Sequence, residues 1–297
     1  MDGSRVAIIT RTKDRPLLLR RAIRSVMSQS YPDYIHIIVN DGGDVEKVRS
    51  IADEENSKAI IHSMDSKGHM EMASNEGIQV AVYYAGLRTT DYITIHDDDD
   101  SWSPEFLSIM IQEIKHFKEL VPSVKGIVCR ANRVYEKIEG NVISIDHLEP
   151  HVPMLPEMGL LRIADLVNDH RNFAPIQFLY EIDTLADLMG YDPSFKVYGD
   201  WDFNLRFLEQ YDIALIPNYL AFYHWRLTSS GADENSILEA ERKLQREVYR
   251  QRIQNKYLRK DGLGTLMNLE QLRYEVYQLR ETVNELRLQK RTTKPHR

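Results

Sequence analysis

Cysteine occurs once in these 297 residues, at Cys129. A lone thiol excludes an intramolecular disulfide framework and suits a reducing compartment. Within the apolar run GIVC it is expected to pack as a small buried hydrophobe. Long apolar runs are missing too: no stretch approaches the ~18 residues of a membrane-spanning helix. The first residues, MDGSR, lead straight into a short strand and lack the apolar core of a signal peptide. Nor is there an excess of positive charge. Lys and Arg number 38 against 45 Asp and Glu, a formal net charge of −7, which is the wrong sign for a general nucleic-acid binder. These absences point to a cytoplasmic protein with no nucleic-acid partner. At 42% hydrophobic, the chain is long enough for one large or two modest domains.

What is present is an alternation. Short β-type runs, VAIIT (6–10), IHIIV (35–39), AIIH (59–62) and YITIH (92–96), are separated by helical patterns, the rhythm of βαβ units and a mainly parallel sheet. A helix is expected to open at Pro16, because proline suits the first helical turn. Further helices are expected over about 44–55, up to about Leu87, and over 104–120. GIVCRANRVY and NVISI read as strands around a turn at residues 139–140. DIALI reads as a further strand, followed by the run NYLAFYHWR and preceded by a helical DWDFNLR.

After Gly231 the composition changes. Residues 234–260 are charged, without proline or glycine, and predict one long helix. Leu269, Leu272, Val276, Leu279, Val283 and Leu286 then recur at spacings of 3, 4, 3, 4, 3, an a/d seam. The expected division is a domain over 1–231 and a helical extension over 232–297, with a heptad segment at about 266–290. The seam suits either self-association or packing on the chain's own domain. The last residues carry Arg287, Lys290, Arg291, Lys294 and Arg297 with no acid after Glu285. Such a tail can touch anionic lipid at the inner face of a membrane, or simply be solvated.

The segment ITIHDDDDSWSP raises the functional question. A buried strand ends at His96 and is followed by Asp97, Asp98, Asp99 and Asp100. Adjacent carboxylates repel, so the choice is a solvated turn or a cation site. Ligands of open α/β sheets bind outside the carboxyl ends of the strands, which is where this run falls. Hard cations such as Mg²⁺ and Mn²⁺ take carboxylates together with substrate phosphates.

Three segments in order, AIITRTKDRPLLLRRAIRSVMSQSYPDY, IHIIVNDGGD and HDDDDSWSP, resemble the opening, second-strand and D-x-D segments of family 2 glycosyltransferases. The resemblance covers about residues 5–230. It implies the Rossmann-like GT-A fold of the α/β class, a mainly parallel sheet flanked by helices, with the C-terminal helical, coiled-coil-like extension added. It also implies a nucleotide-sugar donor, a glycan acceptor and a divalent cation, Mn²⁺ or Mg²⁺.

Position by position, the resemblance implies that Thr10, Arg11 and Asp14 line the nucleotide and that Asp41 holds its base. Asn40 stands where the family often has another aspartate. Asp97 and Asp99 match the D-x-D, Asp99 for the cation and Asp97 for ribose or metal. Asp98 fills the variable position at the donor and Asp100 is the next family aspartate. Asn75 and Gly77 match an Asn-x-Gly element beside the donor, and Lys67 is a further donor contact. Asp200 of DWDFNLR matches the catalytic base, with Gly199 where an acid usually precedes it. As the residue types stand, Asp200 is equally a helix N-cap. His224 is a candidate metal ligand or a core histidine, and Arg226 a candidate diphosphate contact. Tyr198, Trp201 and Trp225 are acceptor-stacking candidates or plain core.

One acceptor-side base implies direct displacement with inversion. The resemblance suits surface-polysaccharide synthesis in bacteria, and the heptad seam suits self-association through the terminal helices. A nucleotidyltransferase would share the acidic metal ligands, but TRTKDRP, at the turn after the first strand, holds no glycine. The remaining alternative is a scaffold or carbohydrate-binding module acting through its C-terminal helices.

Overall fold

Strand β1 (Val6–Thr12) pairs in parallel with β2 (Tyr34–Asn40) on one side and β4 (Tyr92–Asp97) on the other, and β3 (Ile60–Ser63) lies beyond β2. The structure is a computed structural model. It describes residues 4–65, 68–84, 86, 88, 91–151, 155–167, 173–226, 242–261, 269 and 272–283. All seven residues of β1 are buried, as a strand covered on both faces requires. Its side chains alternate between two layers. Val6 and Ile8 pack with Val26 of α1 (Pro16–Met27) and with Phe106, Met110 and Ile114 of α4 (Phe106–Leu120). Leu19 and Ile23 of α1 join Ile38 of β2 and Val48 and Ile51 of α2 (Val45–Glu54).

Ile9 faces the other way, toward α3 (Met70–Gln79). A Cβ on Gly77 would overlap Ile9 Cγ2 and lie 3.1 Å from Val39 Cγ2. Only glycine lets this helix lie so close to the sheet.

The parallel rhythm stops after β4. The sheet continues with β9 (Phe178–Glu181), β6 (Val124–Glu139), β10 (Asp212–Trp225) and β5 (Ser101–Trp102). β9 is antiparallel to both its neighbours, and β10 is parallel to β6. β7 (Val142–His151) folds back on β6 across a turn in which Gly140 has φ +62°, and β8 (Gly159–Leu160) runs antiparallel on β10. The sheet is therefore mixed, and mainly parallel only over β3-β2-β1-β4. A two-residue connection such as 140–141 can join only antiparallel strands. The strand expected at DIALI continues through the following run as one strand, β10. Its pairing with β6 shifts register between Leu215 and Tyr219, around Pro217, which has no N–H to donate.

Short helices α5 (Ile163–Leu166) and α6 (Leu185–Leu188) precede α7 (Gly199–Gln210). Phe203 and Phe207 of α7 pack on Tyr180 and Phe178 of β9. Beyond residues 227–241 comes α8 (Arg242–Asp261). The chain divides into units 1–246 and 247–297. In the second, residues 272–283 are helical, with Leu272, Val276, Leu279 and Val283 all exposed. Leu286 and the basic tail lie outside the described residues. Among those described, no helix is long and apolar enough to cross a membrane.

Candidate functional site

The carboxyl ends of β1, β2 and β4 are brought level by their register. Arg11 stands beside Asp97 and Thr12 beside Asn40. Each following carboxylate then meets a donor. Arg11 Nε donates to Asp97 Oδ1 at 2.9 Å, while its Nη1 donates to Ser74 Oγ at 3.1 Å. Thr12 Oγ1 donates to Asp98 Oδ2 at 2.8 Å. Arg15 Nη1 lies 3.2 Å from Asp98 Oδ1 and 3.3 Å from Asp99 Oδ2. Arg226, fully buried, bridges Asp99 Oδ2 at 2.6 Å and Glu136 Oε1 at 2.8 Å. Arg21 donates to Glu136 Oε2 at 2.5 Å and to the Asp99 carbonyl.

The electrostatics follow from these partners. Burial pushes the Asp99 carboxyl up, but the Arg15 and Arg226 charges outweigh it and hold it below the ordinary carboxylate value. Asp98, where burial and its acidic neighbours outweigh Arg15 and the Thr12 hydroxyl, is raised to about 6. Asp100 is pushed up by burial and by Asp99 and Asp97, and accepts from the His224 N–H at 3.0 Å.

Four residues expected at the donor or metal hold partners within the fold. His224 is 4% exposed, with Nδ1 2.7 Å from Glu136 Oε2 and Nε2 2.8 Å from Ser101 Oγ. Both ring nitrogens thus have partners beside the acidic turn. Thr10 is fully buried against His36 Nε2 at 2.8 Å, on the face of β1 turned to α1. Asn75 uses both ends of its amide, 2.8 Å each, on the Tyr191 backbone. Arg226 is sealed between Asp99 and Glu136, so it acts on the site through Asp99.

Asp14 and Asp41 stay at the strand ends. Asp14 takes a left-handed φ of +51° and its Oδ1 accepts from Asp44 N at 3.2 Å; Asp41 Oδ1 accepts from Gly68 N at 2.6 Å. Asn40 Nδ2 donates to the Gly43 carbonyl at 2.7 Å, a bond an aspartate could not make, which accounts for the departure at this position. Lys67 lies outside the described residues.

Asp200 is the second residue of α7, whose N-cap is Tyr198, and its Oδ1 accepts from the Trp201 N–H at 2.8 Å. Its carboxyl is raised to about 6, by burial first and next by the charge of Glu71, while Arg11 pulls it down. Trp201 is core, with its ring N–H on the Leu166 carbonyl. Trp225 carries the Arg133 guanidinium 4.4 Å above its ring.

Sequence reading missed Arg15, Arg21, Glu136 and Glu71. Glu136 falls on the inward phase of β6 with Val134, and Glu71 on the buried stripe of α3 with Ser74 and Ile78. A charge on an inward phase was the available signal in both cases.

The family model for glycosyl transferase family 2 matches residues 7–150. The uncharacterized glycosyltransferase YwdF of Bacillus subtilis (strain 168) is 27% identical over 265 residues, which span 88% of this chain and 86% of that protein. Among solved structures, S. aureus TarS 1-349 in complex with UDP superposes with a TM-score of 0.55 at 12% identity, over 74% of this chain and 60% of that one. The mannosyltransferase PcManGT of Pyrobaculum calidifontis, in complex with GDP-Man and Mn²⁺, gives 0.50 at 14% identity, over 73% and 56%. This chain thus spans less than two thirds of those solved chains, and at such identities the fold is what they share.

Proposed function

The chain belongs to glycosyl transferase family 2 and is a glycosyltransferase of GT-A fold, and from that premise we propose that it is metal-dependent and inverting. It moves a sugar from a nucleotide-diphosphate donor to a glycan hydroxyl, in building a bacterial surface polysaccharide. The observation that carries this reading is one neighbourhood: the Asp200 carboxyl lies within electrostatic reach of Arg11 and Asp97, the pair at the ends of β1 and β4. In this reading the acceptor-side base and the donor-side acidic turn are neighbours. The UDP complex of TarS and the GDP-Man and Mn²⁺ complex of PcManGT, on the same fold, support the donor class.

The acidic turn fits a hard divalent cation. Asp97 uses Oδ1 for Arg11 and Asp99 uses Oδ2 for Arg15 and Arg226. Among the described residues, the other oxygen of each has no hydrogen-bond donor, and oxygen ligands of this kind suit Mn²⁺ or Mg²⁺. When bound, the cation supplies Lewis-acid neutralisation of the leaving diphosphate. Asp14, Asp41, Asp98 and Lys67 complete the donor side in this reading, with Arg15 as an added cation near the phosphates.

At the acceptor side, the hydroxyl oxygen bonds to the anomeric carbon as the bond from that carbon to the diphosphate breaks. The hydroxyl proton passes to the Asp200 carboxylate. A base works best with a pKa near the operating pH, and a carboxyl raised to about 6 is mostly ionised at pH 7 yet more basic than an ordinary aspartate. The exposed apolar residues of 272–283 are the surface for self-association in this proposal, and the basic tail the segment for a membrane.

The test is a panel of nucleotide-sugars, read by thermal shift and by donor hydrolysis with and without Mn²⁺. One donor is expected to raise the melting temperature by mass action and to be hydrolysed slowly, both only with metal. A folded protein that responds to no donor would overturn the reading in favour of a non-enzymatic scaffold.

A further inference from the structure

Glu71 is a charged residue almost fully buried, at 3% exposure, on the first turn of α3. Its Oε1 accepts from the Gly199 N–H at 3.1 Å, and its Oε2 lies 2.8 Å from His69 Nδ1. Gly199 opens α7, and Asp200 follows it. A Cβ at position 199 would overlap Glu71 Cγ and Oε1 and stand 2.6 Å from Cδ. The glycine is therefore not a point of backbone freedom here. It is the space into which the Glu71 side chain is inserted from another element.

We infer that Glu71 is a positioning residue for Asp200: from α3 it fills the volume left by the absent side chain of Gly199, fixes the first turn of α7, and sets a negative charge beside the Asp200 carboxylate. The inference rests on the reading of Asp200 as the acceptor-side base. Glu71 satisfies a backbone N–H that a helix start leaves without an intrahelical acceptor. A carboxylate rather than a neutral acceptor is what the local charges make consequential. Asp200 faces Glu71 from α3, Arg11 from β1, Asp97 from β4, and the phenols of Tyr191 and Tyr223. Of these groups, Arg11 is the cation and is bonded to Asp97. Glu71 is the larger influence of the two carboxylates on Asp200. A like charge at this place keeps the proton affinity of the base high.

The test separates charge from shape. Glu71→Gln keeps the length and the acceptor oxygen for Gly199 N–H and removes the charge. Gly199→Ala approaches from the other side, driving a methyl group into the space of the Glu71 side chain. Aspartate carboxyl carbons labelled with ¹³C report each titration by NMR, and the signal missing from Asp200→Asn identifies Asp200. In the unsubstituted protein this signal is expected to titrate near pH 6. In Glu71→Gln its midpoint should fall by about 0.5–1 pH unit, and Gly199→Ala should move it the same way.

A midpoint unchanged in both variants overturns the inference, because a purely structural role survives in Glu71→Gln. If Glu71→Gln does not fold, Gly199→Ala alone decides. The base assignment is judged separately, by turnover of Asp200→Asn. Retained turnover there would remove the base while leaving the titration result intact. Lost turnover with an unmoved midpoint would remove Glu71 and leave the base.

Discussion

Two sets of aspartates, at the ends of β1 and β4 and at the start of α7, stand within electrostatic reach of each other and are treated in opposite ways. Asp97, Asp98 and Asp99 each face a guanidinium, and Asp99 faces two. Asp200 accepts from a backbone N–H, and its close charged neighbour is another acid, Glu71. The Asp99 carboxyl ends below the ordinary value and that of Asp200 above it, although burial pushes both up. The partner, not the residue type, decides whether a carboxyl is a fixed charge or a proton acceptor. Asp98, between the two cases, shows that one shared arginine does not offset burial and two acidic neighbours.

This contrast can be broken first at its acidic extreme. Asp200→Asn should lower turnover by ~10²–10⁴-fold while donor affinity stays, as read by steady-state kinetics beside a donor titration. Full turnover would erase the distinction between the two sets. At the other extreme, Arg226→Met leaves Asp99 and Glu136 without their buried bridge. Removing one partner of a buried ion pair costs about 3–5 kcal/mol, visible as a lower urea midpoint. A loss under about 1 kcal/mol would mean that the acidic turn does not depend on Arg226.

A smaller effect is expected where the two sets share a support. Helix α3 carries both Ser74, which holds Arg11, and Glu71, which neighbours Asp200. Gly77→Ala forces that helix off β1 and should cost about 1–3 kcal/mol by overpacking, measured by chemical denaturation. An unchanged stability would show that α3 can shift freely.

The mildest test is pH. A base works only when ionised, so turnover should fall as pH drops through about 6, the value to which Asp200 is raised. A limb near pH 4 would place Asp200 among ordinary carboxylates. The sign for stability is opposite to that of a paired aspartate. Between the ordinary aspartate value and about 6 the native state holds more protons than the unfolded one, so this carboxyl's contribution to stability is lost as pH rises through that window. Asp200→Asn is therefore expected to melt slightly higher than the unsubstituted protein at pH 8.

The first half of the fold was legible because its strands are uninterrupted apolar runs divided by helices, a pattern with few topological solutions. The direction of the strands after β4 was not, since nothing local in FLYE or GIVCRANRVY tells which neighbour each will meet. HDDDD could be read as a site because four acids at a strand end need a reason. Arg226 could be named, but its place could not: Glu136, which it meets, is 90 residues away and looks like any acid in a charged stretch. Thr10 and Asn75 were read as donor contacts, and His224 as a metal ligand or core histidine, because a position in a motif does not reveal which hydrogen bonds a side chain makes. The glycine at 199 read as the loss of an acid, whereas the space it leaves is filled by one.

The bracing of the acidic turn by β10 also has a consequence in time. Ser101 and Asp99 meet His224 and Arg226 across 123 and 127 residues of chain. Contacts of such separation form late, because the loop they close carries a large entropy cost before any bond compensates it. A chain emerging from the ribosome presents its four aspartates more than a hundred residues before the strand that clamps them. On the proposed function, nucleotide capture is thereby expected to be tied to the final steps of domain folding. In a refolding experiment, recovery of the proposed nucleotide binding should track the slowest phase rather than the early appearance of helical signal.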